Sequence, residues 1–307
     1  MHASEQGRIV VVGSSNTDMA VRVPVLPRPG ETVLGGTFYT AAGGKGANQA
    51  VAAARAGGAV TFVACVGDDA FGAQAVHGFQ EDGIDTTYVF TVPDAPSGVA
   101  LIMVDDDAEN SIAVASGANA FLRPHHIEQA REAIAEADVL LLQLETPLET
   151  VSAAVALAAH HGVRVVLNPA PAQTLDDALL QHVSVLTPNV SEAQLLTNIS
   201  LGEAAHLDAV AAALLAKGVE AVLITLGAGG LYIAASGVWE QLPAFKVKAE
   251  DTTGAGDAFN GALAVALAEG QPLRAAARFA AAAAAISVTR RGAQPSAPRR
   301  DEIVRLL

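Results

Sequence analysis

A chain of 307 residues that is 51% apolar and 16% charged has material for a large core with an appendage. Its net charge of −14 repels nucleic acid and anionic membrane, so neither is expected as a partner. The single cysteine, Cys65, excludes an internal disulfide framework. It fits a reducing, cytoplasmic setting, as do the polar start Met1–Arg8 and the lack of a membrane-length apolar run.

From the N-terminus, Arg8–Val12 reads as a first buried strand. Val21–Tyr39 then alternates apolar and polar residues around Pro24, Pro27, Pro29 and Gly30. A helix over Asn48–Ala56, a strand over Val60–Val66 and a helix over Phe71–Asp82 follow. Gly98–Ala115 reads as a hairpin, with Val99–Val104 and Ser111–Ala115 around a polar turn at 105–110. Helices are expected over His125–Glu136, Leu148–His161, Ser191–Leu196 and Leu207–Lys217. Strands are expected over Val139–Leu144, Val163–Leu167, Val183–Leu186 and Ala221–Leu226. Two Ala-rich helices, Ala258–Glu269 and Leu273–Val288, close the chain.

This alternation predicts an α/β fold, a doubly wound, mostly parallel sheet flanked by helices. The two period-two excursions, about 17–42 and 97–116, predict a small antiparallel β-sheet lid on one domain spanning 1–307. The apolar face of such a sheet must cover something, either the active site or the same face of a second subunit. A homodimer through the lid is the corresponding expectation.

The segment Asp251-Thr252-Thr253-Gly254-Ala255-Gly256-Asp257 runs directly into a helix. Glycines at a helix start let several amides point at one anion. A carboxylate at the same spot suits a site that deprotonates a hydroxyl while holding a phosphoryl group. Asp257 is therefore the expected general base, and Gly254, Ala255 and Gly256 the expected anion hole.

Gly43-Gly44-Lys45-Gly46-Ala47-Asn48 precedes another helix but lacks the ending of a P-loop. It reads equally as a ligand-approaching loop or an ordinary glycine turn. Gly13–Asp18 follows the first strand, where open α/β sheets bind ligands. Ser15 and Asp18 stand where a dinucleotide fingerprint needs glycine, whereas Asn16 and Asp18 suit a polyol or a plain Asx turn. Glu145, Asn168-Pro169-Ala170-Pro171 and Thr187-Pro188-Asn189 close successive strands in the same way, which favours a shared crevice. Glu192 could hold Mg²⁺ through water, but the segment taken alone is better explained as helix capping by Asn189 or Ser191 with an acidic first turn. Thr225-Leu226-Gly227-Ala228-Gly229-Gly230 is a further strand-to-glycine turn, able to pass close to a nucleotide.

With these segments in view, the whole chain resembles the phosphofructokinase-B-type carbohydrate kinases. Gly43–Asn48 and Asp251–Asp257 resemble the two signatures of that family. Asn168–Pro171, Asn189–Glu192 and 290–296 resemble its ribose-phosphorylating members. The resemblance implies ATP-dependent phosphorylation of the 5-hydroxyl of D-ribose, with ATP, Mg²⁺ and K⁺. It implies sugar contacts from Asn16, Asp18, Gly44, Lys45, Gly46, Ala47, Asn48, Glu145 and Asp257. Nucleotide contacts would come from Asn189, Thr225, Leu226, Gly227, Ala228, Gly229, Gly230, Gly256 and Asp257. Ala281 falls where relatives place a polar residue beside the adenine. A potassium ion would be held by Asp251, Thr253, Ser287, Arg290, Gly292 and Ser296, mostly through backbone carbonyls. The alternatives are a kinase of the same family acting on deoxyribose, fructose or adenosine, or a non-catalytic sugar-binding protein. With 4% aromatic residues the chain offers little surface for a nucleobase substrate.

Overall fold

Continuous Val/Ile/Leu runs form strands buried on both faces, as a parallel sheet between helix layers requires. The computed structural model describes residues 6–107, 109–200 and 205–307. The chain runs β1 (Arg8–Val12), β2 (Asn16–Arg22), β3 (Thr37–Gly43), α1 (Lys45–Arg55), β4 (Ala59–Gly67), α2 (Ala70–Glu81) and β5 (Asp85–Val92). It continues through β6 (Gly98–Val104), β7 (Asn110–Ala115), α3 (Pro124–Gln129), α4 (Arg131–Ala135), β8 (Val139–Leu142), α5 (Leu148–His160) and β9 (Arg164–Leu167). Next come α6 (Asp177–Leu180), β10 (Val185–Leu186), α7 (Val190–Thr197), α8 (Ala205–Ala216) and β11 (Ala221–Thr225). Then β12 (Leu231–Ala235), β13 (Val238–Leu242), α9 (Ala255–Ala268), α10 (Leu273–Ser287) and α11 (Arg300–Leu306) complete it.

Nine strands form the main sheet in the order β13-β12-β11-β10-β9-β8-β1-β4-β5. Strand alternation divides its core in two. Ile9 and Val11 of β1 pack with α1, α9 and α10, while Val10 and Val12 pack on the opposite face with α3 and α5. From β1 the chain first winds outward through β4 and β5, then returns to β8 on the other side. The strand order therefore reverses between β1 and β8, which opens a crevice at their carboxyl ends.

A second sheet has the order β3-β2-β6-β7. It is the predicted small sheet, with one refinement: β2 pairs antiparallel with β3, and β6 with β7, but β2 and β6 run parallel. Register puts Tyr39, Ile112 and Val114 on the same face as Asp18, and Phe38 and Leu101 on the other. All five are exposed.

The differences from the sequence reading have identifiable causes. Val21–Tyr39 is not one strand pair; its middle, with Pro24, Pro27 and Pro29, forms no strand because proline brings no ladder donor. The lid strands instead lie on its flanks and begin at Asn16. Strand β5 and the antiparallel hairpin β12–β13 occupy the sheet's two edges and were not anticipated: β5 and β13 mix polar and apolar residues, whereas β12 is an apolar, buried run that the sequence reading passed over. The expected helix at 125–136 divides at Ala130 into α3 and α4. The strand expected over Val183–Leu186 shortens to two residues. Residues 1–5 of the polar start and Ala108 of the hairpin turn lie outside the described residues. No helix among the described residues is long and apolar enough to cross a membrane.

Candidate active site

Ser14 and Glu145 meet at the strand-order reversal, one just after β1 and the other just after β8. The Ser14 hydroxyl donates to Glu145 Oε2 at 2.6 Å, and the Lys45 amide donates to the same oxygen at 2.9 Å. That leaves Glu145 Oε1 for a ligand. Helix α1 starts here, three residues earlier than its apolar pattern indicated. The Gly46 amide donates to Ser14 Oγ at 3.2 Å, the Ala47 amide to Ser14 O at 2.8 Å and the Asn48 amide to Gly44 O at 2.9 Å. Gly46 and Ala47 thus build the turn and keep no amide free for a sugar. Lys45 and Asn48 keep only their side chains to offer a ligand.

Asn16 and Asp18 lie on β2, so the lid itself carries two of the expected sugar contacts. The Asp18 carboxylate leans across its neighbour strand into the space a Cβ at Gly43 would fill. Asn16 is fixed by a residue the sequence reading missed: Asn119, buried just after β7, donates from Nδ2 to Asn16 Oδ1 at 2.7 Å. Asn119 Oδ1 accepts the Ser15 amide at 2.8 Å. With its oxygen taken, Asn16 presents N–H donors.

Asp257 sits in the first turn of α9, buried. Its Oδ2 accepts from Asn48 Nδ2 and its Oδ1 from Gln49 Nε2, both at 2.9 Å. Burial pushes its carboxyl above the ordinary value, with Glu145 adding to the rise; Lys45, Asn48 and Gln49 oppose it. The turn ahead of it depends on Gly254, whose φ of 73° is left-handed and whose missing Cβ would approach Ala293 Cα to 2.8 Å. Among the described residues the Gly254, Gly256 and Asp257 amides have no acceptor, whereas the Ala255 amide donates to Thr252 O at 3.2 Å. Of the three amides expected to meet an anion, those of Gly254 and Gly256 are thus left unengaged, whereas that of Ala255 is tied up in its own turn.

Four carboxylates, Asp257, Glu145, Glu192 and Asp18, surround the Lys45 ammonium. Burial pulls that ammonium down, but their combined field holds it above its ordinary value. Asp18 responds oppositely: burial, then Glu145 and Asp257, push its carboxyl up to about 6, with Lys45 only partly offsetting them. Asn48 Oδ1 is buried without a partner, an acceptor ready for a hydroxyl.

Asn189 and Glu192 form a reciprocal capping box at the start of α7. Glu192 Oε2 accepts the Asn189 amide at 2.8 Å and Oε1 accepts Asn189 Nδ2 at 2.9 Å. Capping is thus realised, and both Glu192 oxygens keep lone pairs with which they would meet a Mg²⁺ through water. Thr225 to Gly230 end β11 in a tight turn, bridged to Asn189 by a parallel pairing of Thr225. Ala281 is half-buried on α10, outside the hydrogen-bonded network.

The expected potassium ligands converge partly through Asp251. Its Oδ1 accepts the Thr253 amide at 2.9 Å and its Oδ2 the Gly292 amide at 2.9 Å, joining the two loops. Ser287 and Ser296 are fully buried beside them, and Ser296 Oγ donates to Ala293 O at 2.7 Å while keeping lone pairs. An all-oxygen donor set of this kind fits a hard monovalent cation.

Gln49, Gln143 and Asn260 were missed although each is a polar residue inside an apolar run, the one signal that marked them.

A family model described as pfkB family carbohydrate kinase matches residues 6–300. The chain is 46% identical to the ribokinase of Haemophilus influenzae over 299 residues, covering 97% of this chain and 98% of that protein. It is 40% identical to the deoxyribokinase of Salmonella typhi over 291 residues, covering 94% and 95%. The structure of Arabidopsis thaliana ribokinase complexed with ribose and ATP superposes with a TM-score of 0.92 at 34% identity, covering 98% of each chain.

Proposed function

The chain belongs to the pfkB family of carbohydrate kinases, and on that premise we propose that it transfers the γ-phosphoryl group of MgATP to the 5-hydroxyl of D-ribose, giving D-ribose 5-phosphate and ADP. The observation that carries this reading is Asp257: a buried, doubly hydrogen-bonded carboxylate on the same helical turn as unengaged amides.

Asp257 accepts the proton of the attacking hydroxyl as its oxygen bonds to the γ-phosphorus and the bond to ADP breaks. The Gly254 and Gly256 amides, with the positive end of the α9 dipole, oppose the charge gathering on the transferred group. Asp18, the free Oε1 of Glu145 and Asn48 Oδ1 accept from sugar hydroxyls, while Asn16 donates. Four carboxylates around one lysine favour a neutral polyol and disfavour an anionic sugar in that subsite, which also favours release of the phosphorylated product. The turn at Thr225–Gly230 and the remaining donor of Asn189 face the nucleotide. Carbonyls of the 251–253 and 287–292 segments, with Ser296, would hold a potassium ion, which would supply positive charge beside the loop leading to Gly254. The single buried Cys65 suits a reducing cytoplasm.

ADP release measured over ribose, 2-deoxyribose, fructose and adenosine, in potassium and in sodium buffer, tests this. Ribose is expected to give the highest kcat/KM and potassium the higher rate. The Salmonella relative makes 2-deoxyribose the second reading, and a preference for it would replace ribose. Equal rates in both buffers would remove the cation from the mechanism.

The lid accounts for the assembly. Tyr39, Ile112 and Val114 extend the Asp18 face beyond the sugar contacts and are exposed in a single chain. A second copy applying the same face covers them, giving a symmetric dimer. Light scattering is expected to return twice the chain mass, and Ile112→Asp to return the monomer; a wild-type monomer at working concentration rejects the pairing.

A further inference from the structure

We propose that Gln49 is a positioning residue for the Asp257 base, the first link of a buried amide ring that sets how the carboxylate turns and keeps it ionised. This rests on the reading of Asp257 as proton acceptor. Gln49 is fully buried, and both of its N–H bonds are committed. Nε2 donates to Asp257 Oδ1 at 2.9 Å and to Asn168 Oδ1 at 3.0 Å. Its own Oε1 accepts from Gln143 Nε2 at 2.6 Å. Asn168 Nδ2 passes the chain on to Thr187 O at 3.3 Å, Thr187 Oγ1 donates to Asn260 Oδ1 at 2.6 Å, and Asn260 Nδ2 donates to Gly256 O at 2.8 Å. Gly256 and Asp257 share a peptide bond, so the ring closes on the catalytic turn.

The direction of the ring carries the argument. An ionised carboxylate only accepts, so Gln49 must turn Nε2 toward Asp257. That choice turns its Oε1 toward Gln143, which must then donate, leaving Gln143 Oε1 buried without a partner. The Thr187 carbonyl fixes the same direction from the other end: it too only accepts, so Asn168 turns Nδ2 to it and Oδ1 to Gln49. Both ends of the network therefore hold Gln49 Nε2 against the Asp257 carboxylate. Thr187 and Asn168, polar residues closing β10 and β9, find their role here rather than in the ligand crevice.

Lys45 on α1 favours the ionised base, while Glu145 after β8, Asp18 on β2 and Glu192 on α7 disfavour it. Asn48 and Gln49 are the only hydrogen-bond donors to the carboxylate among the described residues. Losing one shifts proton affinity upward.

Gln49→Met keeps length and removes the donor. With sugar and MgATP saturating, so that Asp18 is masked by bound sugar, the acid limb of kcat is expected to move up by about one pH unit. The plateau is expected to fall by roughly tenfold while the nucleotide KM stays. A limb that does not move, with only a lowered melting temperature, overturns the proposal. Should Gln49→Met fail to fold, Asn168→Ala removes the outer anchor of Gln49 instead, and a smaller shift in the same direction is required; none overturns it. Asp257→Asn separates the two readings. Near-normal kcat there defeats the base assignment, whereas an inactive Asp257→Asn beside an unmoved Gln49→Met limb defeats Gln49 alone.

Discussion

Asp257→Asn is expected to lower kcat by about 10²–10⁴ while the protein folds as well as before. The substitution keeps shape and removes the carboxylate that, among the described residues, shares its helical turn with the unengaged amides of α9. Its structural effect is small for a specific reason. Asn48 Oδ1 has no partner, so Asn48 can turn its amide over and accept from the new side-chain N–H. Because burial holds the Asp257 carboxyl above its ordinary value, its ionised form costs folding free energy at neutral pH. A neutral amide removes that cost, so the melting temperature is expected to hold or rise. Stopped-time ADP assays with thermal melts check both halves, and sugar binding by calorimetry is expected to weaken but remain measurable, since the turned Asn48 no longer offers Oδ1 to a hydroxyl. The same raised carboxyl puts the acid limb of wild-type kcat above the ordinary carboxylate range. A limb at ordinary carboxylate pH, or turnover near normal in the variant, would transfer the proton to another acceptor.

What the sequence disclosed and what it hid follow from range. Asp257 and its glycines, Lys45 and Asn48, and the strand-closing Glu145 are local patterns, readable because helix starts and strand ends impose fixed chemistry on short stretches. The two-faced sheet was equally readable, since strands buried on both faces need long apolar runs. Gln49 lies 208 residues from Asp257, and Asn119 lies 103 from Asn16. No spacing rule connects such partners; only burial of a polar side chain in an apolar segment hints at them. The edge strands β5 and β13 escaped for a related reason, because an edge is half solvated and its pattern resembles a loop; β12, interior and buried, carried an apolar run that could have been read. The Ala255 amide shows the reverse error. A glycine-rich motif promised a full ring of donors, but a tight turn consumes one of them internally, here through Thr252.

Asp18→Asn is expected to stabilise the free protein while raising the sugar KM by about 10² or more. In the fold Asp18 is pressed by burial and by Glu145 and Asp257, which push its carboxyl up to about 6 from 3.8. A carboxyl raised in this way is ionised at a cost above pH 6. The cost declines as pH falls through 6, because the folded state takes up the proton first, and vanishes below the unfolded value. At pH 7 the neutral amide should therefore gain about 1–3 kcal/mol, the upper figure reduced by solvent reaching the lid edge. The gain should shrink below pH 6 and be gone near pH 4. Catalysis answers in the opposite sense. A carboxylate accepts hydrogen bonds from two adjacent hydroxyls, whereas an amide must turn a donor toward one of them, so sugar binding weakens in ground and transition states alike. KM rises and kcat changes little. Wild-type KM is expected to climb as pH falls below 6, and the variant's to stay flat. Thermal melts and sugar titrations from pH 4 to 8 measure both trends. A variant that melts lower at pH 7 would mean that Asp18 supports the lid as a structural residue, and a variant KM within a few-fold of wild type would remove it from the sugar contacts. If both trends hold, the free energy that crowds three carboxylates under the lid is released when sugar hydroxyls arrive to share them, which couples lid closure to the presence of a neutral substrate.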